Sequence, residues 1–537
     1  MVPPSSSGSF SPPARSSLPI LGPPAGKDGA ITNLAELAER SVETFGEYPS
    51  LAFEDRWYTN AEQLAGAYRF ANVLRSLGVE PGDRVAVMMP NCPEVYQAYG
   101  GITAVGAVVV PVVFLLAVPE VNHILADCTP KVLVTGIDFL PSARQAVEGL
   151  THPPVLVVTG SAGTDVEGAR SWEHLLSEAG PEFDIVDRDD GDLAVIMYTG
   201  GTTGRPKGVM ITHGNLLWMT ETLASETTLG PEDVGLMALP VSHLFGMIAG
   251  ITGQVLGTRG VLLKWFTTDE VLAAIERYGV TSIPMVPTMA LFLLQDPRAD
   301  QFDTSSLKTV LLSAAPVPLE LKEAFARKFD CEVLEAYGQT EASPAIAIER
   351  EGQEKRPGSC GRAIAGVEIS IQDDEGRSAP AGQVGEICAR SPGIMKGYFR
   401  LDDATAEALA GDWLHTGDMG YLDADGYLYV TDRKKDLIIR GGFNVYPRDV
   451  EEVLYTHPAV AEAGVVGRPD QAMGEEVVAF VVKASGAEVT EEELLAYCRE
   501  RLAKYKAPKE IRFVGFLPKS PIGKVLKKDL RAVVAAT

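Results

Sequence analysis

The chain has 537 residues, more than one hydrophobic core usually holds, since cores stop growing near roughly 250–300 residues; at least two domains are expected. Its 46% apolar and 22% charged residues exclude general disorder, and a net charge of −25 disfavours non-specific binding to nucleic acid or anionic lipid. Cys92, Cys128, Cys331, Cys360, Cys388 and Cys498 lie without CxxC spacing, which argues against a zinc site or disulfide framework and fits a reducing, cytoplasmic compartment.

Residues 1–29 are dense in Pro, Ser and Gly and lack an apolar stretch of signal-peptide length, so they read as a flexible tail. From Leu34 onward, helical patterns such as LAELAERSVETF and NAEQLAGAYRFANVLRSLG alternate with strand-like runs such as DRVAVMM, KVLVTG and PVLVVTG. ITAVGAVVVPVVFLLAV, from Ile102 to Val118, is the longest apolar run. At about 17 residues, with Pro111 inside, it falls short of the roughly 20 that a membrane span needs, and it reads as a helix end, a turn and a buried parallel strand. DLAVIMYTG, TSIPMVPTM and LKTVLLSAA follow, each expected to lead into a helix; the whole is helices packed on largely parallel sheets. Beyond Tyr398 the turn signals DADG and RGG separate short strands, which reads as antiparallel hairpins, and DVEEVLYTHP, EEVVAFVVKA and TEEELLAYCRERL form a small α+β unit.

The chemistry concentrates first in YTGGTTGRPKG, Tyr198 to Gly208. A strand runs there into glycines, threonines and Lys207, a composition suited to wrapping polyphosphate with backbone N–H groups and hydroxyls. It is not the GxxxxGK[ST] loop, because Pro206 stands where that motif requires glycine and Gly208 follows the lysine.

This segment resembles the signature of the adenylate-forming superfamily, the acyl-activating enzymes that include acyl-CoA synthetases, aryl-CoA ligases, luciferases and peptide-synthetase adenylation domains. EAYGQTEASP (335–344), LHTGDMG (414–420), VTDRKKDLIIRGGFNVYP (430–447) and PKSPIGKVLKKDL (518–530) follow in the family's order. The resemblance covers nearly everything after residue 30 and is nearest to bacterial fatty-acyl-CoA synthetases. It implies an α/β fold: a large domain of stacked mixed and parallel sheets with helices over 30–431, holding ATP and the acyl pocket, and a small mobile α+β domain over 432–537. The implied reaction converts a hydrophobic acid, a medium- to long-chain fatty acid, to acyl-AMP and pyrophosphate, then to acyl-CoA and AMP. ATP, Mg²⁺ and coenzyme A are its cofactors. The alternatives are an aryl-CoA ligase of benzoate or cinnamate type, or transfer of the acyl group to a carrier protein. The implied partners are small molecules, with no nucleic acid and no transmembrane segment, and a homodimer is left open. No carrier domain is expected after Thr537, which favours free CoA as acceptor.

By the same resemblance, Thr199, Gly200, Gly201, Thr202, Thr203, Gly204 and Lys207 form the phosphate cradle, and Lys207 eases pyrophosphate departure. Tyr337 packs on adenine, Thr340 contacts the α-phosphate and Glu341 holds Mg²⁺, with Ala314, Ala315, Pro316, Ala336, Gly338, Gln339 and Tyr429 completing the nucleotide contacts. Asp418 accepts the ribose hydroxyls, reinforced by Arg433. Lys524 is the adenylation lysine, Lys519, Lys527 and Lys528 being its solvated alternatives. Asp432 is the hinge, and Gly441 and Gly442 line the pantetheine channel. His243, Phe245, Gly246 and Ser313 are assigned to the acyl pocket. Ser242, Ser313 and Phe114 depart from common family residues and leave chain length open. A non-catalytic protein on a decayed ligase fold would have lost Lys207, Glu341, Asp418 or Lys524; all four are present.

Overall fold

The computed structural model describes residues 31–199, 206–441, 443–471, 473–520 and 525–535. Two large sheets and a smaller one form the bulk of the chain. An eight-stranded sheet is centred on Arg84–Met88, Val108–Pro111 and Leu193–Thr199; a nine-stranded sheet runs through Val234–Met237, Ser282–Met285, Thr309–Leu312 and Glu332–Tyr337. Their central strands are parallel; both edges of the nine-stranded sheet and one edge of the eight-stranded sheet are antiparallel. The apolar run at 102–118 takes its expected form: the Pro93–Ala104 helix turns into Val108–Pro111, a strand buried on both faces as parallel strands are. Among the described residues no helix is long and apolar enough to cross a membrane.

One expected helix is displaced. DLAVIMYTG leads into a second strand, Lys207–Thr212, antiparallel to the first, and only then into the His213–Ser225 helix. The residues after Lys207 are GVMIT, whose β-branched and apolar alternation outweighs the helix-forming tendency assumed from the βα rhythm. Thr212 then stops the strand and caps the helix, its side chain accepting from the Asn215 N–H.

Glu368–Gln372, Gly385–Arg390, Leu414–Leu422 and Leu428–Arg433 make the four-stranded antiparallel sheet. The chain leaves it after Arg433 through a short turn, Lys434–Asp436. The last hundred residues build a five-stranded sheet of their own around Val460–Asp470 and Gly474–Lys483, covered by the Pro447–Tyr455, Glu491–Arg501 and Lys527–Ala535 helices. Its core, including Val465, Val477, Ala479, Leu494 and Ile511, is separate from those of the large sheets. All six cysteines are unpaired.

Candidate active site

In open α/β sheets the crevice beyond the carboxyl ends of parallel strands is where ligands bind. Here that crevice is one continuous cavity of about 2090 Å³, lined from both the large and the small domain. Thr309–Leu312 delivers Ser313, Ala314, Ala315 and Pro316 into it, and Glu332–Tyr337 delivers Ala336 to Glu341. The Ser313 hydroxyl donates to the Ala336 carbonyl at 2.8 Å and ties the two loops together. Ala314 holds φ at +70°, a left-handed conformation that only an over-determined loop imposes on a residue with a Cβ. Gly338 is required by space, since a Cβ there would lie 1.9 Å from the Pro344 carbonyl oxygen.

At one end of the crevice Asp418 is 6% exposed and faces Arg433 across adjacent strands. Its Oδ2 accepts from the Tyr337 hydroxyl at 2.7 Å and its Oδ1 lies 3.2 Å from Arg433 Nε. Burial pulls the Arg433 guanidinium down, but the charges of Asp418 and Asp436 outweigh it and hold Arg433 above its ordinary range. A buried carboxylate with one neutral and one charged donor is pre-set to accept further hydroxyl protons from a ligand.

At the other end, register pairs Thr199 with Lys207 across the hairpin, so both ends of the glycine-rich loop enter the crevice together. Gly200, Gly201, Thr202, Thr203 and Gly204 lie outside the described residues, as do Gly442 and Lys524. The Lys207 ammonium sits 4.8 Å from the Tyr398 ring centre, and the Tyr398 hydroxyl donates to Glu341 Oε1 at 2.8 Å. Sequence reasoning missed Tyr398. Its signal is weak, a tyrosine in GYF far along the chain from both partners, 57 residues from Glu341, and what places it is the two-residue edge strand Gly397–Tyr398 against Lys207–Thr212. Thr340 is buried beside Glu341 in a short turn. Among the described residues no group of three or more His, Cys, Asp and Glu could hold a metal ion. One carboxylate with a neighbouring threonine hydroxyl is a donor set that fits Mg²⁺, which keeps several waters and takes its remaining ligands from substrate phosphates.

His243 caps the Leu244–Leu256 helix, its Nδ1 accepting from the Phe245 N–H at 3.4 Å, and both side chains line the cavity. Met247, Ala249, Leu291 and Leu294 add apolar side chains to the lining. Three assigned residues sit elsewhere. Gly246 packs on its own entry turn, where a Cβ would meet the Pro240 carbonyl oxygen at 2.5 Å. Tyr429 stacks on Tyr421, ring centres 4.7 Å apart. Gly441 is exposed, with φ of +58° and its N–H donating to the Met473 carbonyl at 2.7 Å.

Asp432 accepts from the backbone N–H of Arg433 at 2.8 Å and of Arg448 at 2.9 Å, joining the end of the large-domain strand to the first turn of the Pro447–Tyr455 helix. Lys519 pairs with Glu462 at 2.8 Å, and Lys527 with Glu451 at 3.0 Å.

Glu335, the first letter of EAYGQTE, is a second residue that sequence reasoning passed over. Burial pushes its carboxyl up to about 7, against the charges of Arg448 and Lys322, while Glu349 pushes the same way as burial. A carboxyl raised in the folded state contributes stability below its unfolded value near 4.5 that is lost as pH rises through 7. Glu335→Gln should therefore remove a stability loss of about 3 kcal/mol between pH 4.5 and 7. The check is denaturant unfolding of both proteins across that range; parallel pH profiles would refute it.

Residues 38–399 match the family described as AMP-binding enzyme, and residues 449–524 match the AMP-binding enzyme C-terminal domain. The chain is 35% identical over 528 residues to a long-chain-fatty-acid–CoA ligase of Bacillus subtilis (strain 168), covering 93% of this chain and 94% of that one. It is 38% identical over 483 residues to a feruloyl-CoA synthase of an Amycolatopsis species, covering 88% and 93%. Among solved structures, the anthranilate CoA ligase AuaEII in complex with anthranoyl-AMP superposes with a TM-score of 0.89 at 28% identity, covering 95% of this chain and 98% of that one.

Proposed function

The chain belongs to the AMP-binding enzyme family and is an acid–CoA ligase, and from that footing we propose that its acid is hydrophobic, a medium- to long-chain fatty acid. The observation that carries this reading is the cavity itself. Asp418, Arg433, Thr340, Glu341 and Lys207 line it with groups suited to a nucleotide, and the Leu244–Leu256 helix that His243 caps lines it with Phe245, Met247, Ile248, Ala249 and Ile251, apolar side chains suited to a hydrocarbon chain.

In this reading the acid's carboxylate attacks the α-phosphate of ATP, and pyrophosphate leaves. The chain's own contribution is positioning and charge neutralisation. Asp418 accepts from the ribose hydroxyls while Arg433 and Tyr337 fix its orientation. Lys207 faces the departing phosphates, steadied by the Tyr398 ring, and Lys524 meets the charge developing between carboxylate and α-phosphate. Glu341 and Thr340 would hold Mg²⁺, which neutralises phosphate charge when bound. Lys519 and Lys527 are already held by Glu462 and Glu451, which supports Lys524 among the lysines of that segment. The small domain then pivots near Asp432, bringing Gly441 and Gly442 to the site for thiol attack on acyl-AMP.

The feruloyl-CoA synthase relative favours a second reading, an aryl acid. A panel of acids with ATP and CoA, reading pyrophosphate and acyl-CoA separately, decides between them. Fatty acids should yield both products. Turnover confined to benzoates or cinnamates would move the substrate class, and pyrophosphate without thioester would move the acceptor to a carrier protein.

A further inference from the structure

We infer that Tyr398 is a positioning residue that keeps Lys207 and Glu341 apart, giving each a neutral partner so that both charges stay available, one to phosphate and one to metal. The inference rests on the reading of Glu341 as the Mg²⁺ carboxylate and adds to it the group that orients that carboxylate.

An ammonium and a carboxylate lining one cavity attract each other, and a pair closed on itself offers less charge to a ligand. Lys207 and Glu341 line the same cavity, yet among the described residues no ion pair joins them. Both meet Tyr398 instead. The Lys207 ammonium lies over the ring, 4.8 Å from its centre, where the π-face is negative, and the hydroxyl donates to Glu341 Oε1 at 2.8 Å. A neutral donor thereby occupies one carboxylate oxygen and leaves the other, which suits a cation that takes one or two carboxylates and completes its shell with water and phosphate.

The backbone around Tyr398 is fixed by bonds that involve neither charge. Met395 N–H donates to the Glu341 carbonyl at 2.9 Å and Phe399 N–H to the Gly208 carbonyl at 2.7 Å. The short segment is therefore bonded both to the turn that carries Glu341 and to the strand that carries Lys207. Tyr398 N–H donates to Thr405 Oγ1 at 2.8 Å. Gly397 holds φ at +143°, and a Cβ there would meet Thr405 Cγ2 at 2.6 Å, so glycine is what lets the strand pass this close to the helix beside it. The ring's place is set by the chain, and the two charges are spaced by the ring.

The ring and the hydroxyl should fail separately. Mn²⁺ titrated into the protein with ATP bound and no acid present, read by loss of the free-ion electron paramagnetic resonance signal, measures the dissociation constant of the metal. Tyr398→Phe should raise it about tenfold, the low end of what losing the outer partner of a metal ligand costs. Glu341→Gln should raise it at least as much, and Tyr398→Phe added to Glu341→Gln should change it by less than about twofold, because the hydroxyl acts through that carboxylate. ATP binding in EDTA reads Lys207 without the metal. There Tyr398→Phe, which keeps the ring, should stay within about twofold of wild type, whereas Tyr398→Leu should weaken binding about fivefold as the ammonium moves onto Glu341. Unchanged Mn²⁺ binding in Tyr398→Phe, or equal metal-free ATP binding in Tyr398→Phe and Tyr398→Leu, would overturn the inference and leave Glu341 as the metal carboxylate. Mn²⁺ binding unaffected by Glu341→Gln would overturn that reading, and this one with it.

Discussion

Lys524→Ala should lower acyl-AMP formation by at least about 10²- to 10³-fold, while CoA attack on supplied acyl-AMP stays within a few-fold of wild type. The magnitude is that of removing one pre-positioned charge from a developing transition state in a water-poor site. The selectivity follows from the two-step scheme: a lysine that neutralises charge between carboxylate and α-phosphate has nothing to do once pyrophosphate has left. Isotope exchange between pyrophosphate and ATP measures the first step, and thioester formation from synthetic acyl-AMP the second. Equal loss in both would return Lys524 to the solvated lysines of its segment.

Asp418→Ala should be costly in a different way, damaging the fold and the nucleotide site together. Arg433 is half-buried and its nearest counter-charge is Asp418, while the Tyr337 hydroxyl donates to the same carboxylate. Removing one partner of a fully buried pair costs about 3–5 kcal/mol; with the Arg433 side chain partly in water, the charge left behind is screened and the cost lies below that range. Asp418→Asn keeps an acceptor for Tyr337 and should recover part of that stability while still binding ATP weakly. Denaturant unfolding and the KM for ATP separate the two effects. An Asp418→Ala protein as stable as wild type would show that Arg433 and Tyr337 do not depend on this carboxylate.

Much of this arrangement was legible before any coordinate. The apolar run at 102–118 resolved into helix, turn and strand because a β-branched run closed by a proline leaves few other choices. Asp418 and Arg433 lay fifteen residues apart in two recognisable motifs, and a tight antiparallel hairpin brought them face to face. What the sequence hid were residues whose meaning depends on long-range packing. Tyr398 reaches Lys207 and Glu341 through an edge strand of two residues, too short to leave a periodic signal. Glu335 looks like any charged residue until the strand around it is buried. The Lys207–Thr212 strand was hidden for the opposite reason: the expectation of a helix came from the regular rhythm of its neighbours, and a hairpin interrupts that rhythm where the phosphate loop is needed.

The exit of the chain from the four-stranded sheet at Arg433 has a consequence for how the molecule could be taken apart. Every strand of the three large-domain sheets lies at or before Arg433, and the five-stranded sheet with its own core lies after it. A break in the 434–437 segment therefore severs no strand and divides no core. What the covalent link supplies is proximity, an effective concentration on the order of millimolar for a short connection. Made as two polypeptides, the halves would turn adenylation into a bimolecular event, with a rate that rises with the amount of small domain added and saturates as the interface around Arg448 and Asp432 fills.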